Sequence, residues 1–304
     1  MSAVPIETRG LGKQYGRMQA VADVTMTVPE GSICGIVGTN GAGKSTFLNM
    51  LLGITRPTTG SAQVLGVDVR DSSGKWRQRL GYVTDQDWFF RQFTVGEMVE
   101  YGRRTWKHWD SARCQHLLDS FELAKTQVVR SLSKGMRVQL AFVTALSLRP
   151  ELFILDEPTS GLDAVVKRQV LQLIVQEAAA GVTTLIATHH LSELERIADR
   201  VAFFHKGRVI LQSTTEDAKR EIRRIQTVFP QGMPDEIRQA PGVLRIEQSG
   251  SVYGVIVEHD PEHILALCRR HDPVYLEEMD VDFEELFIHI MHKEGYAREQ
   301  IILD

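Results

Sequence analysis

Nine consecutive residues, Gly38-Thr39-Asn40-Gly41-Ala42-Gly43-Lys44-Ser45-Thr46, combine three glycines with a lysine and a pair of adjacent hydroxyl side chains. Glycine lets the backbone turn tightly with its N–H groups pointing inward, and such a turn binds phosphate oxygens. Lys44 would then reach the β- and γ-phosphates of a nucleotide, and the Ser45 hydroxyl is placed to ligate Mg²⁺. The spacing predicts a phosphate-binding loop; its alternative is a glycine turn that opens an ordinary helix.

The segments on either side of this loop favour the phosphate-binding interpretation. An apolar run at residues 33–37 has the composition of a short buried strand, and residues 47–52 continue with helical character. A loop that joins a strand to a helix places its ligand at the helix N-terminus, where the helix dipole attracts anions. Polyphosphate is therefore the expected ligand.

Two carboxylates, Asp156 and Glu157, follow a second apolar run at residues 152–155. A buried strand does not accept carboxylates without a cation or a proton to pair with them. We expect Asp156 to hold Mg²⁺ together with Ser45, and Glu157 to act as the base or positioning group for an attacking water. The alternative is a pair of solvated acids at a strand end.

Three further features each have two interpretations. Ser133 and Gly135 open a helix and suit an anion, although a serine there is also a common helix cap. A third apolar strand leads into His189 and His190; either histidine could contact a γ-phosphate, but a histidine at a strand end is usually structural. Tyr15 could stack on an adenine or could be a packing tyrosine.

In their order along the chain, these motifs resemble those of the ATP-binding subunits of ABC transporters, and the resemblance covers about residues 3–215. It implies an α/β P-loop NTPase core with an antiparallel β subdomain and a helical subdomain at about residues 88–148. The resemblance implies catalytic roles for Glu157, His189 and Lys44. Contacts to ATP are implied for Tyr15, Gly38, Asn40, Gly41, Gly43, Lys44, Ser45, Thr46, Ser133 and Gly135. The implied Mg²⁺ ligands are Ser45, Asp156 and Gln86.

The sequence departs from the family pattern at two places. The signature reads Leu132-Ser133-Lys134-Gly135-Met136, whereas the commonest form is Leu-Ser-Gly-Gly-Gln. This variant resembles the signature of bacterial ABC-2-type exporters, particularly the group related to an acetoin-utilisation ATPase. At the usual position of the Q-loop glutamine stands Asp85, with Gln86 one residue later; we favour Gln86.

The resemblance also implies the partners. Two such subunits pair head to tail, a homodimer being favoured over a heterodimer, and each ATP lies between one phosphate-binding loop and the other subunit's signature. Ser133 and Gly135 would then act on the ATP of the other subunit. A multi-spanning permease on a separate chain would carry the substrate and hold the ATPase at the cytoplasmic face of the cell membrane.

Composition agrees with such a protein. The 304 residues carry a net charge of −4, which argues against nucleic acid as a partner. No run of about 18 apolar residues is present, so no membrane-spanning segment is expected. The three cysteines, Cys34, Cys114 and Cys268, lack metal-ligand spacing and are expected to be reduced.

The last third of the chain differs in charge. Residues 218–304 contain 10 Lys/Arg and 17 Asp/Glu, a net charge of −7, which indicates a separate module. Domains are thus expected at 1–217 and 218–304, the second a small α+β domain with a dimerisation or regulatory role. Residues 219–224 are expected to form a basic helical linker face.

The sequence therefore predicts an ATP hydrolase that drives export as a dimer. Two alternatives come from other classes: a soluble ABC ATPase that acts on ribosomes or DNA, and a regulatory nucleotide-binding module that does not transport. The helical subdomain adds an open point, because its aromatic residues near Trp88 could form its core or a docking surface for a partner helix.

Overall fold

The computed structural model describes residues 4–84, 89–220, 222–258 and 260–293. The chain folds into two compact units that divide between Gln212 and Ser213. Among the described residues, no helix combines the length and the apolar character needed to cross a membrane.

In its described residues, the first unit contains ten strands and six helices. The strands are β1 (Ile6–Tyr15), β2 (Met18–Val28), β3 (Ile33–Val37), β4 (Thr59–Val64), β5 (Val67–Asp68), β6 (Leu80–Thr84), β7 (Leu152–Asp156), β8 (Thr183–Thr188), β9 (Arg200–His205) and β10 (Arg208–Thr214), the last two residues of which belong to the second unit. The helices are α1 (Lys44–Leu51), α2 (Val95–Thr105), α3 (Ser111–Ser120), α4 (Lys134–Leu146), α5 (Ala164–Ala179) and α6 (Leu191–Glu195). Short 3₁₀ helices cover Lys75–Arg79 and Val129–Ser131.

A six-stranded sheet in the order β10-β9-β3-β8-β7-β6 forms the centre of this unit. The pairs β9/β3, β3/β8, β8/β7 and β7/β6 are parallel. Every residue of β3, β7 and β8 is buried, as expected for parallel strands covered on both faces. These are the three apolar runs from which strands were predicted.

The register of the central sheet aligns the strand ends that carry polar residues. Val37 pairs with Thr188, and Asp156 pairs with Ala187 on one side and with Thr84 on the other. The carboxyl ends of β3, β6, β7 and β8 therefore meet at one edge, where open α/β sheets bind their ligands.

A second sheet in the order β2-β1-β4-β5 is antiparallel throughout. Its apolar side chains share one core with α1 and the central sheet, in which Phe47 and Phe204 lie with ring centroids 5.2 Å apart. The antiparallel β subdomain predicted from the resemblance is thus confirmed as part of this fold.

Helices α2, α3 and α4 occupy the predicted helical region. Thr94 and Glu97 form a capping box that fixes the start of α2. The aromatic residues divide between both predicted environments: Phe89 is buried, whereas Phe90 is 45% exposed and Tyr101 is 43% exposed. Trp88 lies outside the described residues.

The second unit is a small α+β fold. Its elements are α7 (Thr215–Arg220), β11 (Ile222–Val228), α8 (Asp235–Arg238), β12 (Val243–Ser249), β13 (Val252–Glu258), α9 (Pro261–Arg270), β14 (Tyr275–Asp280) and α10 (Phe283–Lys293). The sheet order is β12-β13-β11-β14 with all pairs antiparallel, which together with the β-α-β-β-α-β chain order is ferredoxin-like. Ile225, Val255 and Ile264 lie at the centre of its core.

The expectation of a basic helical linker at residues 219–224 is wrong. Helix α7 ends at Arg220, and Arg223 and Arg224 belong to β11, one of the two inner strands of the sheet. Arg223 pairs with Asp280 at 2.7 Å, and Arg224 pairs with Glu285. Pairing with two strands outweighs the local helical preference of this charged segment.

Candidate functional site

A cleft of about 1150 Å³ lies at the carboxyl edge of the central sheet. Residues 39–46 form one wall, and Thr84, Asp156 and Glu157 contribute the ends of β6 and β7. Residues 18–20 of β2 and the Lys206-Gly207 turn complete the side nearest the loop. Its size suits a nucleotide-sized ligand.

The backbone of the glycine loop requires glycine at two positions. Gly43 has φ +103°, and a Cβ added there would lie 2.4 Å from the carbonyl oxygen of Ala20. A Cβ on Gly38 would lie 2.3 Å from the carbonyl oxygen of Phe204. The loop is therefore held tightly against β2 and β9.

Lys44 is the first residue of α1, and only 6% of it is exposed. Its Nζ donates to the carbonyl oxygen of Gly38 at 2.5 Å and lies 3.7 Å from Oε1 of Glu157. Burial lowers the pKa of Lys44, while the carboxylates of Glu157 and Asp156 act in the opposite direction. The ammonium is thus placed in the cleft, bridging the loop and the acid.

Ser45 and Asp156 line the same cleft and supply a hydroxyl and a carboxylate oxygen. Asp156 is the last residue of β7 and is 7% exposed. Hard oxygen donors of this kind fit Mg²⁺, which in addition takes oxygens from phosphate and water. Gln86 and Asp85, the two candidates for the Q-loop position, lie outside the described residues.

Glu157 follows β7 directly and has a positive φ of +50°. Its carboxylate accepts from Thr188 Oγ1 at 3.1 Å and from the His189 backbone N–H at 3.4 Å, both through Oε2. Its Oε1 lies 2.9 Å from Nδ1 of His189. Two donors at and after the end of β8 thus hold Oε2 of the carboxylate, the His189 ring lies beside Oε1, and Glu157 itself lines the cleft.

The two histidines after β8 differ in their surroundings. Their rings lie with centroids 4.1 Å apart. Burial lowers the pKa of the His190 imidazole, and the neighbouring His189 lowers it further. His189 is the histidine that contacts Glu157 directly through its ring.

Two features of this site were not predicted from the sequence. Thr188 orients Glu157, and a hydroxyl at the end of a strand beside the acid was the signal available for it. The positive φ of Glu157 is the second, a backbone conformation that residues other than glycine rarely adopt. Backbone strain at a non-glycine residue has no signal in the sequence.

Four of the predicted ATP contacts are absent from the lining of the cleft, namely Tyr15, Gly38, Ser133 and Gly135. Among the described residues, the lining includes Met18, the strand partner of Tyr15, but not Tyr15 itself. Ser133 caps α4 by accepting from the Met136 backbone N–H at 3.2 Å, and neither Ser133 nor Gly135 contributes to the lining. The other predicted ATP contacts come from the loop, and residues 39–46 all line the cleft.

Comparison with known proteins gives a consistent result. Residues 21–160 match the family model described as ABC transporter. The chain is 32% identical over 284 residues to the ABC transporter ATP-binding protein YtrB of Bacillus subtilis (strain 168), covering 93% of this chain and 97% of that protein. It is also 32% identical over 306 residues to the Nod factor export ATP-binding protein I of Rhizobium johnstonii, covering 97% of each chain.

Solved structures agree with the fold of the first unit. A structure described as an ATP-binding subunit of an ABC transporter superimposes with a TM-score of 0.67 at 28% sequence identity. The match covers 72% of this chain and 92% of that chain.

Proposed function

This chain belongs to the family of ABC transporter ATP-binding proteins, and we propose that it drives export through a separately encoded membrane permease as one half of an ATP-hydrolysing dimer. The observation that carries the proposal is the position of Glu157. Its carboxylate lies at the cleft between Lys44 of the glycine loop and His189 after β8. A base, a phosphate-binding cation and a histidine thus converge where a γ-phosphate would lie.

The chemistry follows from these positions. Amide groups of residues 38–46 and the Lys44 ammonium bind the β- and γ-phosphates, which replaces the contact of Lys44 with the Gly38 carbonyl. Ser45 and Asp156 would hold Mg²⁺, which when bound neutralises the charge on the phosphate oxygens. Glu157 positions the attacking water and takes its proton, while His189 contacts the γ-phosphate.

The arrangement of the signature supports a dimer in which each ATP is shared. Ser133 is exposed at the N-terminus of α4, away from the cleft of its own chain. A Cβ added to Gly135 would meet no atom closer than 3.6 Å, so this chain alone does not require glycine there. Close approach of a phosphate held by another chain would account for both residues. In a homodimer, the second chain that supplies the signature is another copy of this protein.

An exposed aromatic cluster supports a helix of the permease as a partner. Phe90 lies 4.9 Å from Phe93 and 5.4 Å from Tyr101, measured between ring centroids. Phe90 and Tyr101 are each more than two-fifths exposed, as in a docking surface for an apolar helix. Docking there would hold the chain at the cytoplasmic face of the membrane, with the second unit as a dimerisation or regulatory domain.

Affinity capture from solubilised membranes tests the proposal. The bait is the Glu157→Gln chain with Mg·ATP, which should keep the closed dimer. We expect it to recover a multi-spanning protein that a bait with the additional change Phe90→Asp does not recover.

The matched control is Val274→Asp, which charges another exposed apolar residue, 74% exposed, in the second unit. This bait should recover the same membrane protein as Glu157→Gln alone. Recovery of ribosomes or DNA, or equal recovery by the Phe90→Asp bait, would contradict the proposed docking.

A further inference from the structure

We propose that the nucleotide-free protein binds one borderline transition-metal ion, with Zn²⁺ as the reference ion, between Glu157, His189 and His190. Each of these residues offers one ligand atom, and the three atoms lie within 4.8 Å of one another. The site is distinct from the Ser45 and Asp156 oxygens that fit Mg²⁺.

The donor set determines the class of metal. Two imidazoles and one carboxylate are the protein ligands of many catalytic zinc sites, in which a water completes a tetrahedron. Mg²⁺ instead prefers oxygen ligands in an octahedron. His190 therefore decides the metal preference of the site. Without it, only one imidazole and one carboxylate would remain as protein ligands.

The geometry is close to that of an occupied site. His189 Nδ1 and Glu157 Oε1 are 2.9 Å apart. Ligand atoms around a tetrahedral Zn²⁺ are separated by roughly 3.3 Å, given bonds of about 2.0–2.1 Å. The ligand atom of His190 lies within 4.8 Å of the other two, so its ring must move closer when a metal binds.

Hydrogen bonding leaves the second histidine available. The backbone N–H of His190 donates to Thr188 Oγ1 at 3.0 Å, which fixes where the residue leaves β8. Its ring Nε2 is buried and has no hydrogen-bond partner in the part of the chain that the structure describes. A buried imidazole nitrogen without a partner is costly, and a metal bond to the ring would orient it.

The surrounding charge also favours a cation. The carboxylates of Asp156 and Glu157 lie beside the ammonium of Lys44. Lys167, which also acts on His190, is paired with Glu193, 2.9 Å away. The two carboxylates thus favour a cation here before nucleotide binds.

The effect of this metal site on ATP hydrolysis rests on the proposed function. A metal held here occupies Glu157, which positions the water, and His189, which contacts the γ-phosphate. Zn²⁺ would therefore inhibit ATP hydrolysis, and Mg·ATP and Zn²⁺ would oppose each other's binding.

Calorimetric titration of the nucleotide-free full chain with Zn²⁺, in the presence of a competing chelator, tests the site. We expect one equivalent to bind, and His190→Asn to weaken binding about tenfold or more, since even indirect changes at metal sites cost 10–100-fold. Asparagine is a favourable N-cap residue, so this change should preserve the start of α6. His116→Asn is the matched control, because His116 is exposed on α3, and it should bind as wild type does.

A second variant and a second readout guard against misfolding. Glu157→Gln should also weaken Zn²⁺ binding, and Co²⁺ should give the visible absorption of a four-coordinate site only in wild type and His116→Asn. Unchanged affinity in His190→Asn, or no binding by wild type, would overturn the proposal.

Hydrolysis assays separate this proposal from the one it rests on. With Mg·ATP and buffered free Zn²⁺, His190→Asn should keep its activity and require about tenfold more Zn²⁺ for inhibition. A chain that binds Zn²⁺ through His190 but never hydrolyses ATP would contradict the proposed function alone. Normal hydrolysis with equal Zn²⁺ sensitivity in both chains would contradict the metal site alone.

Discussion

Oε1 of Glu157 and Nδ1 of His189 lie 2.9 Å apart, although 31 residues separate the two in the chain. Their meeting follows from the sheet, because the preceding residues, Asp156 and Thr188, end the adjacent parallel strands β7 and β8. A pair held by strand ends is positioned before any nucleotide binds. Catalysis by positioning and electrostatics needs such a pre-organised pair.

Replacing Glu157 by glutamine should separate binding from hydrolysis. Glutamine keeps the size of the side chain but cannot take a proton, so turnover should fall by about 10²–10⁴-fold. ATP binding should be retained, because the phosphate contacts come from the loop. Steady-state hydrolysis and equilibrium nucleotide titration measure the two quantities.

The matched control for this change is Glu30→Gln, at an exposed turn residue outside the cleft. It should leave both quantities unchanged. Wild-type turnover in Glu157→Gln would contradict the role assigned to Glu157.

The lowered pKa of Lys44 predicts a pH dependence for ATP binding. In the folded chain burial disfavours the ammonium, so it loses its proton at lower pH than an ordinary lysine, while phosphate favours the charged form. Affinity for a non-hydrolysable ATP analogue should fall as pH rises through this lowered pKa, and binding there should take up protons. Calorimetry in buffers of different ionisation enthalpy measures that uptake.

The lowered pKa of Lys44 has the opposite effect on the pH dependence of folding stability. Between the lowered pKa and the ordinary value of 10.5, the unfolded chain binds more protons, so this group makes stability rise with pH.

The variant Lys44→Met should lose about 10- to 100-fold in ATP affinity at neutral pH, as expected for lost charged hydrogen bonds. Pure pH independence of wild-type binding across the alkaline range would contradict the buried position of Lys44.

Gly43→Ala should destabilise the fold as well as the site. The positive φ and the 2.4 Å approach to the Ala20 carbonyl together predict a cost of about 1–3 kcal/mol in the free energy of unfolding. Urea unfolding measures this cost. The control Gly16→Ala shares a positive φ, +57°, but has no atom within 4 Å of the added Cβ, and should cost about 1 kcal/mol. Equal losses in the two variants would show that the approach to Ala20 is not tight.

Much of the central sheet could be predicted because its strands are short apolar runs followed by polar residues. The glycine loop lies between β3 and α1, and Asp156 and His189 stand at neighbouring strand ends, as parallel pairing requires. These positions depend on local pattern and on one rule of sheet topology.

Other parts depend on tertiary contacts that the sequence does not display. Residues 219–224 carry four basic side chains and are predicted to be helical, but residues 222–224 begin β11, in which Ile222, Ile225 and Thr227 are buried. Strand β9 is a buried apolar run like β3, β7 and β8, and what depends on tertiary structure is its pairing with β3. The contact between Thr188 and Glu157 likewise depends on the pairing of β7 with β8.

The shared ATP site is tested most directly by co-expressing two variants that are each inactive. Lys44→Ala removes the phosphate-binding cation, and Ser133→Asp keeps the helix cap but places a negative charge against the γ-phosphate. In a mixed dimer, the loop of the Ser133→Asp chain meets the intact signature of the Lys44→Ala chain. Random pairing makes half of the dimers mixed, each with one intact site, so hydrolysis should recover to about a quarter of the wild-type rate. No recovery above the two separate variants would contradict a site shared between chains.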